Sequence, residues 1–168
     1  MQEKALYLAA IFDERTQSVF AELYGILQRN GFVGTQTKNL SYHITLGSRG
    51  VEFENQTVRD LEIICAETRC FDINLAHIGL FGLNVLFISP NMNYELLNLE
   101  RKFFPDCCNG YHPWSAHATL LIDEPNTVYN ALPIVAEHFK PFKARIESVE
   151  LYEFFPAREI TSSKLLSA

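Results

Sequence analysis

Residues 42–48 read YHITLGS and residues 116–122 read AHATLLI, so the chain spells His-x-Thr-Leu twice, each time inside an apolar run of strand length. Side chains alternate faces along a strand. His43 and Thr45 therefore share one face and Ile44 and Leu46 the other, and the same division separates His117 and Thr119 from Ala118 and Leu120. A strand with one apolar face must lay that face on a second layer. The flanking sequence supplies one, because an amphipathic pattern of helical period stands before and after each tetrad.

Ahead of the first tetrad, Val19, Leu23, Ile26 and Leu27 form one helical stripe, with Asp13 to cap it and Gly31 to end it. Behind it, Val58, Leu61, Ile64 and Cys65 form another. The second tetrad lies between NMNYELLNLERKFFP and EPNTVYNALPIVAEHF, both of helical period, the latter weakened by Pro133. ALYLAAIF suits a buried strand, and FKARIESVELYEFFP one long or bent strand. FDINLAHIGLFGLNVLFISP, punctuated by Gly79 and Gly82, reads as two strands joined by a tight turn. The order specifies an α+β fold, one domain over residues 1–168. It is bilobal, with two similar lobes of antiparallel-dominated sheet backed by helices, one tetrad in each and a cleft between them.

With 48% hydrophobic residues in 168, such a core can be filled. A net charge of -6 repels the backbone of long nucleic acid, so a nucleic-acid substrate should be small or gripped locally. The opening MQEKALYLAAIF is too short in apolar residues to span a membrane and has no cleavage pattern of a secretory signal. A cytoplasmic monomer is expected, with no membrane partner and with Cys65, Cys70, Cys107 and Cys108 as reduced thiols. Cys107, Cys108, His112 and His117 also raise a zinc site, but their spacing fits no common zinc pattern, and a ligating His117 would be lost to proton transfer.

Two lobes that face each other would surround a cleft with two imidazoles and two hydroxyls. In-line displacement at phosphorus needs one group to take a proton from the attacking oxygen and another, across the phosphorus, to protonate the leaving oxygen. Imidazole serves both tasks near neutrality. The threonine hydroxyls can donate to non-bridging phosphoryl oxygens. The chain has neither a Walker-type loop nor a dense carboxylate cluster for magnesium, so no metal or other cofactor is expected.

The paired HITL and HATL resemble the motifs of the 2H phosphoesterase superfamily, in particular its 2'-5' RNA ligase-like and cyclic phosphodiesterase branches. LYLAAIF is similar to that family's first strand, IGLFGLNVLFI to its central hairpin and IESVELYEFFP to its late strand. The resemblance implies that His43 and His117 are the acid–base pair and that Thr45 and Thr119 bind the phosphate. For opening of a 2',3'-cyclic phosphate it implies His117 as base and His43 as acid. Two departures, Ala5 where a basic residue is usual and Asp123 and Glu124 where Arg is frequent, speak against long RNA.

The expected function is that of a metal-independent phosphoesterase acting on a small nucleotide or short RNA with a cyclic phosphate or 2'-5' linkage. The alternatives are a non-catalytic nucleotide- or phosphate-binding module of the same fold, and an interaction domain with purely structural tetrads. Tyr7, Phe81, Trp114 and Tyr152 are candidates to line the cleft and stack on a base, with core packing as the competing role. Ser48 and Ser115 could reach phosphate or serve turns. His77 and His138 read as surface histidines.

Overall fold

The computed structural model describes residues 4–105 and 114–167. The chain runs β1 (Ala5–Phe12), α1 (Glu14–Arg29), β2 (His43–Gly50), a 3-10 turn (Val51–Phe53) and α2 (Glu54–Ala66). It continues through β3 (Phe71–Phe81), β4 (Val85–Pro90), α3 (Tyr94–Phe103), β5 (Ala118–Ile122), α4 (Pro125–His138), β6 (Phe142–Phe154) and β7 (Arg158–Lys164). Asp13 caps α1 through its carboxylate, which accepts from Thr16 N at 3.1 Å. Pro125 occupies the first turn of α4, where no amide hydrogen is needed, and the helix continues through Pro133 to His138.

Each half of the sequence contributes to one seven-stranded sheet with antiparallel strand pairing, in the order β2-β1-β6-β3-β4-β5 with β7 added beside β6. The long strand β6 joins the halves. Its later residues pair with β1 and β7, and its early residues, 142–146, pair with β3. The helices do not sort by half, because α1 packs on α4 and α2 on α3. One face of the sheet carries Leu6, Leu8, Ala10 and Phe12 of β1 into the core with Phe20, Leu27, Leu61 and Leu99 of the helices. The strands that begin with or follow the two histidines, β2 and β5, end the order and approach each other without pairing.

Sequence reasoning leaves β7 unassigned. Its residues, REITSSK, are mostly exposed or half-buried, and pairing with β6 rather than an apolar face makes it a strand. Among the described residues no helix is long and apolar enough to cross a membrane.

Candidate functional site

Both tetrads obey the alternation. Ile44, Leu46, Ala118 and Leu120 are at most 1% exposed, whereas His43, Thr45, His117 and Thr119 are half-buried on the opposite face. Each tetrad also contains a β-bulge that periodicity does not reveal. Ala9 pairs with Thr45 and Leu8 with Gly47, so Leu46 is the extra residue; Phe87 pairs with Thr119 and Leu86 with Leu121, so Leu120 is its counterpart. A bulge lets two neighbouring residues face the core in succession. Leu120 and Leu121 both do so, and Gly47 follows Leu46 because Phe104 lies where a side chain would stand, its ring 2.6 Å from a Cβ built there.

The two imidazoles are held in the same way. His43 Nδ1 lies 2.7 Å from Ser41 O, and His117 Nδ1 lies 2.7 Å from Ser115 O. A carbonyl oxygen only accepts, so Nδ1 carries the hydrogen in each ring and Nε2 is left as the proton-exchanging atom. The repeat in fact extends upstream, as SYHITL and SAHATL, and this extension is the signal that sequence reasoning passes over.

Around this pair the surroundings differ. Before His43, Gln17 fixes the main chain of Tyr42 twice, accepting from its N at 2.8 Å and donating to its O at 2.8 Å. Burial lowers the pKa of His43 below the ordinary imidazole value, the bond to Ser41 opposes the shift, and positive charge on His117 adds to it. His117 stands against aromatic rings: Phe81 meets it edge-on at 4.6 Å between centroids and Phe87 at 5.2 Å. Phe87 can occupy its place because Gly79, opposite it on β3, has no side chain; a Cβ there would lie 2.3 Å from the ring.

A cleft of about 360 Å³ is walled by His43, Thr45 and Thr119, with Tyr7, Tyr152 and residues 36–42; of the four tetrad side chains expected there, His117 is not among its walls and packs on Phe81 and Phe87 instead. Tyr7 and Tyr152 are register partners on β1 and β6. Burial, followed by the Glu150 carboxylate that accepts the Tyr152 hydroxyl, raises the pKa of Tyr152. Burial, with Tyr24 nearby, pushes Tyr42 up to about 12. Both remain neutral phenols at physiological pH.

Of the four aromatic residues expected to line the cleft, Tyr7 and Tyr152 do; Phe81 and Trp114 are not among its walls. Phe81 packs on His117 instead. Trp114 donates from Nε1 to Thr45 O at 2.9 Å, tying the approach to β5 onto β2. Ser48 is exposed opposite Tyr7, and Ser115 acts through its carbonyl rather than its hydroxyl. His77 bonds to Asn91 and His138 to the carbonyl of Ile134, both exposed. Cys107, Cys108 and His112 lie outside the described residues, and among the described residues no three His, Cys, Asp or Glu side chains gather into a metal-binding group.

Neither a protein-family model nor a curated sequence matches the chain. Solved structures do match it along nearly its whole length. The Thermus thermophilus protein TT0787 superposes with a TM-score of 0.67 at 16% identity, covering 96% of this chain and 97% of that one. E. coli LigT, in a complex with phosphate, superposes with a TM-score of 0.61 at 14% identity over 98% and 99% of the two chains. A protein described as a phosphoesterase gives 0.61 at 15% identity over 98% and 99%. These neighbours are 2H phosphoesterase superfamily members, and the α+β architecture described above is their fold.

Proposed function

We propose that the protein is a metal-independent phosphoesterase that opens a cyclic phosphate, or cleaves a 2'-5' linkage, on a small nucleotide or short RNA. The observation that carries this reading is the pair of imidazoles latched alike through Nδ1, each with a threonine two residues on: His43, Thr45 and Thr119 wall one cleft, and His117 stands just before β5, two residues from Thr119, where β5 approaches β2. In such a reaction on a 2',3'-cyclic phosphate, His117 Nε2 takes a proton from water as the water oxygen bonds to phosphorus. The bond from phosphorus to one ribose oxygen breaks with its electron pair on that oxygen, which receives a proton from His43 Nε2. The product is a phosphomonoester. Thr45 and Thr119 donate to the non-bridging oxygens while charge builds there. His43, whose burial disfavours its charge in the free protein, gains the proton it must deliver when an anionic phosphate enters beside it.

The test is turnover of nucleoside 2',3'-cyclic phosphates in the presence of EDTA. Phosphomonoester should accumulate; binding of the same compounds with no turnover of any cyclic or 2'-5' substrate would instead support the non-catalytic module. A pH profile adds a second prediction. One imidazole must be protonated and the other not, so kcat/KM falls on the acid side as the member with the lower pKa takes up a proton. Because the value for His43 is depressed, that limb should lie below the ordinary histidine value of about 6.5. An acid limb centred at or above it would contradict the role of His43.

A further inference from the structure

The segment between α1 and β2 walls one side of the cleft and is tied down at three places. Thr35 donates to Ile122 O from N at 2.6 Å and from Oγ1 at 3.1 Å, and Gln36 Oε1 accepts from Ile122 N at 3.2 Å. Gln17 holds the far end at Tyr42. Between these ties, Lys38 Nζ donates to Val33 O at 2.7 Å, to the Tyr24 hydroxyl at 2.9 Å and to Gly34 O at 3.4 Å. Every one of these acceptors is neutral.

Lys38 is the only Lys or Arg among the described residues that wall the cleft. Lys4, Arg49, Lys143, Arg145 and Arg158 all stand against carboxylates, whereas no ion pair among the described residues includes Lys38. A fixed and uncompensated cation in the cleft of a chain with net charge -6 is a local attractor for an anion. A loop held at both ends also presents it with little ordering cost on binding. The tetrads themselves offer a phosphate only imidazoles and hydroxyls, so Lys38 is a separate source of positive charge.

From this the geometry points to Lys38 as the receptor for a second anionic group of the ligand, making the preferred substrate class a nucleotide that carries another phosphate besides the one held between the imidazoles. The inference rests on the phosphoesterase reading for the position of the first phosphate. An incoming phosphoryl oxygen would displace the longest of the three bonds, that to Gly34, and accept a charge-assisted bond in its place.

Calorimetry with two unreactive probes, adenosine 3'-monophosphate and adenosine 3',5'-bisphosphate, tests this without requiring turnover. The unaltered protein should bind the bisphosphate about tenfold more tightly, as one charge-assisted hydrogen bond warrants. Lys38→Met should remove the difference between the two probes, and Lys38→Arg should retain it. Equal affinities in the unaltered protein, or a Lys38→Met variant that weakens both probes alike, would overturn the assignment and leave Lys38 as a staple of its loop. A preference for the bisphosphate in a protein that turns over no cyclic substrate would uphold the second anion site while refuting the phosphoesterase reading.

Discussion

His117→Ala and His43→Ala should each lower kcat for a nucleoside 2',3'-cyclic phosphate by about 10²- to 10⁴-fold, the usual worth of one positioned acid or base. The loss should be similar for the two, because in the proposed mechanism each supplies one end of a single proton relay. For the same reason the double variant should be little worse than either single one. Stability offers the necessary contrast. Each imidazole is half-buried, and among the described residues its hydrogen bond is to a main-chain carbonyl, so removing the ring should cost stability far less than it costs rate. Thermal unfolding measured beside the kinetics separates the two effects. Turnover that survived either substitution would show that the tetrads do not carry the chemistry, and a loss of rate matched by unfolding would assign them to the core.

Gly79→Ala is the second large effect, and it acts on the site from two strands away. The new Cβ would stand 2.3 Å from one carbon of the Phe87 ring and 2.4 Å from the next. That ring cannot simply retreat, since it is buried and lies between Phe81, at 4.4 Å, and His117, at 5.2 Å. Overpacking of this kind costs about 1–3 kcal/mol. Whatever movement relieves it passes to the two rings that hold His117, and a displacement of about 1 Å at a reacting group can cost about 10²-fold in rate. The expected result is a folded but destabilised protein whose kcat for the proposed reaction is reduced about 10²-fold. Adding Phe87→Leu should recover part of both losses, because the interaction between the two positions is the cause. A Gly79→Ala protein with undiminished kcat would mean that the aromatic packing does not position His117.

Much of this can be read from residue order. The tetrads declare their faces because Ile44 and Leu46 alternate with His43 and Thr45, and helical stripes such as Leu23 and Leu27 declare their own. Local capping is equally legible, as Asp13 shows. What escapes is set by register between strands distant in sequence. The bulges at Leu46 and Leu120 exist only in relation to β1 and β4, and Gly79 looks like punctuation until Phe87 is found opposite it. Trp114 and Phe81 read as base-stacking candidates because an aromatic side chain beside a motif is ambiguous. The partners that decide their roles, Thr45 and His117, come from parts of the chain distant in sequence, 69 residues from Trp114 in the first case. Lys38 escapes because nothing in its own neighbourhood announces that the loop reaches across to Ile122.

The two strands that end the sheet order are also those that carry the tetrads, and this bears on solubility as well as chemistry. An unpaired edge strand is a template on which another chain can add. In this fold the two edges shield one another: Trp114 occupies Thr45 O, and Thr35 and Gln36 occupy the main chain of Ile122, the last residue of β5. β2 and β5 approach one another without pairing, and the cleft lies beside that gap. Trp114 and the segment that carries Thr35 and Gln36 thus cover main-chain groups that an added strand would need.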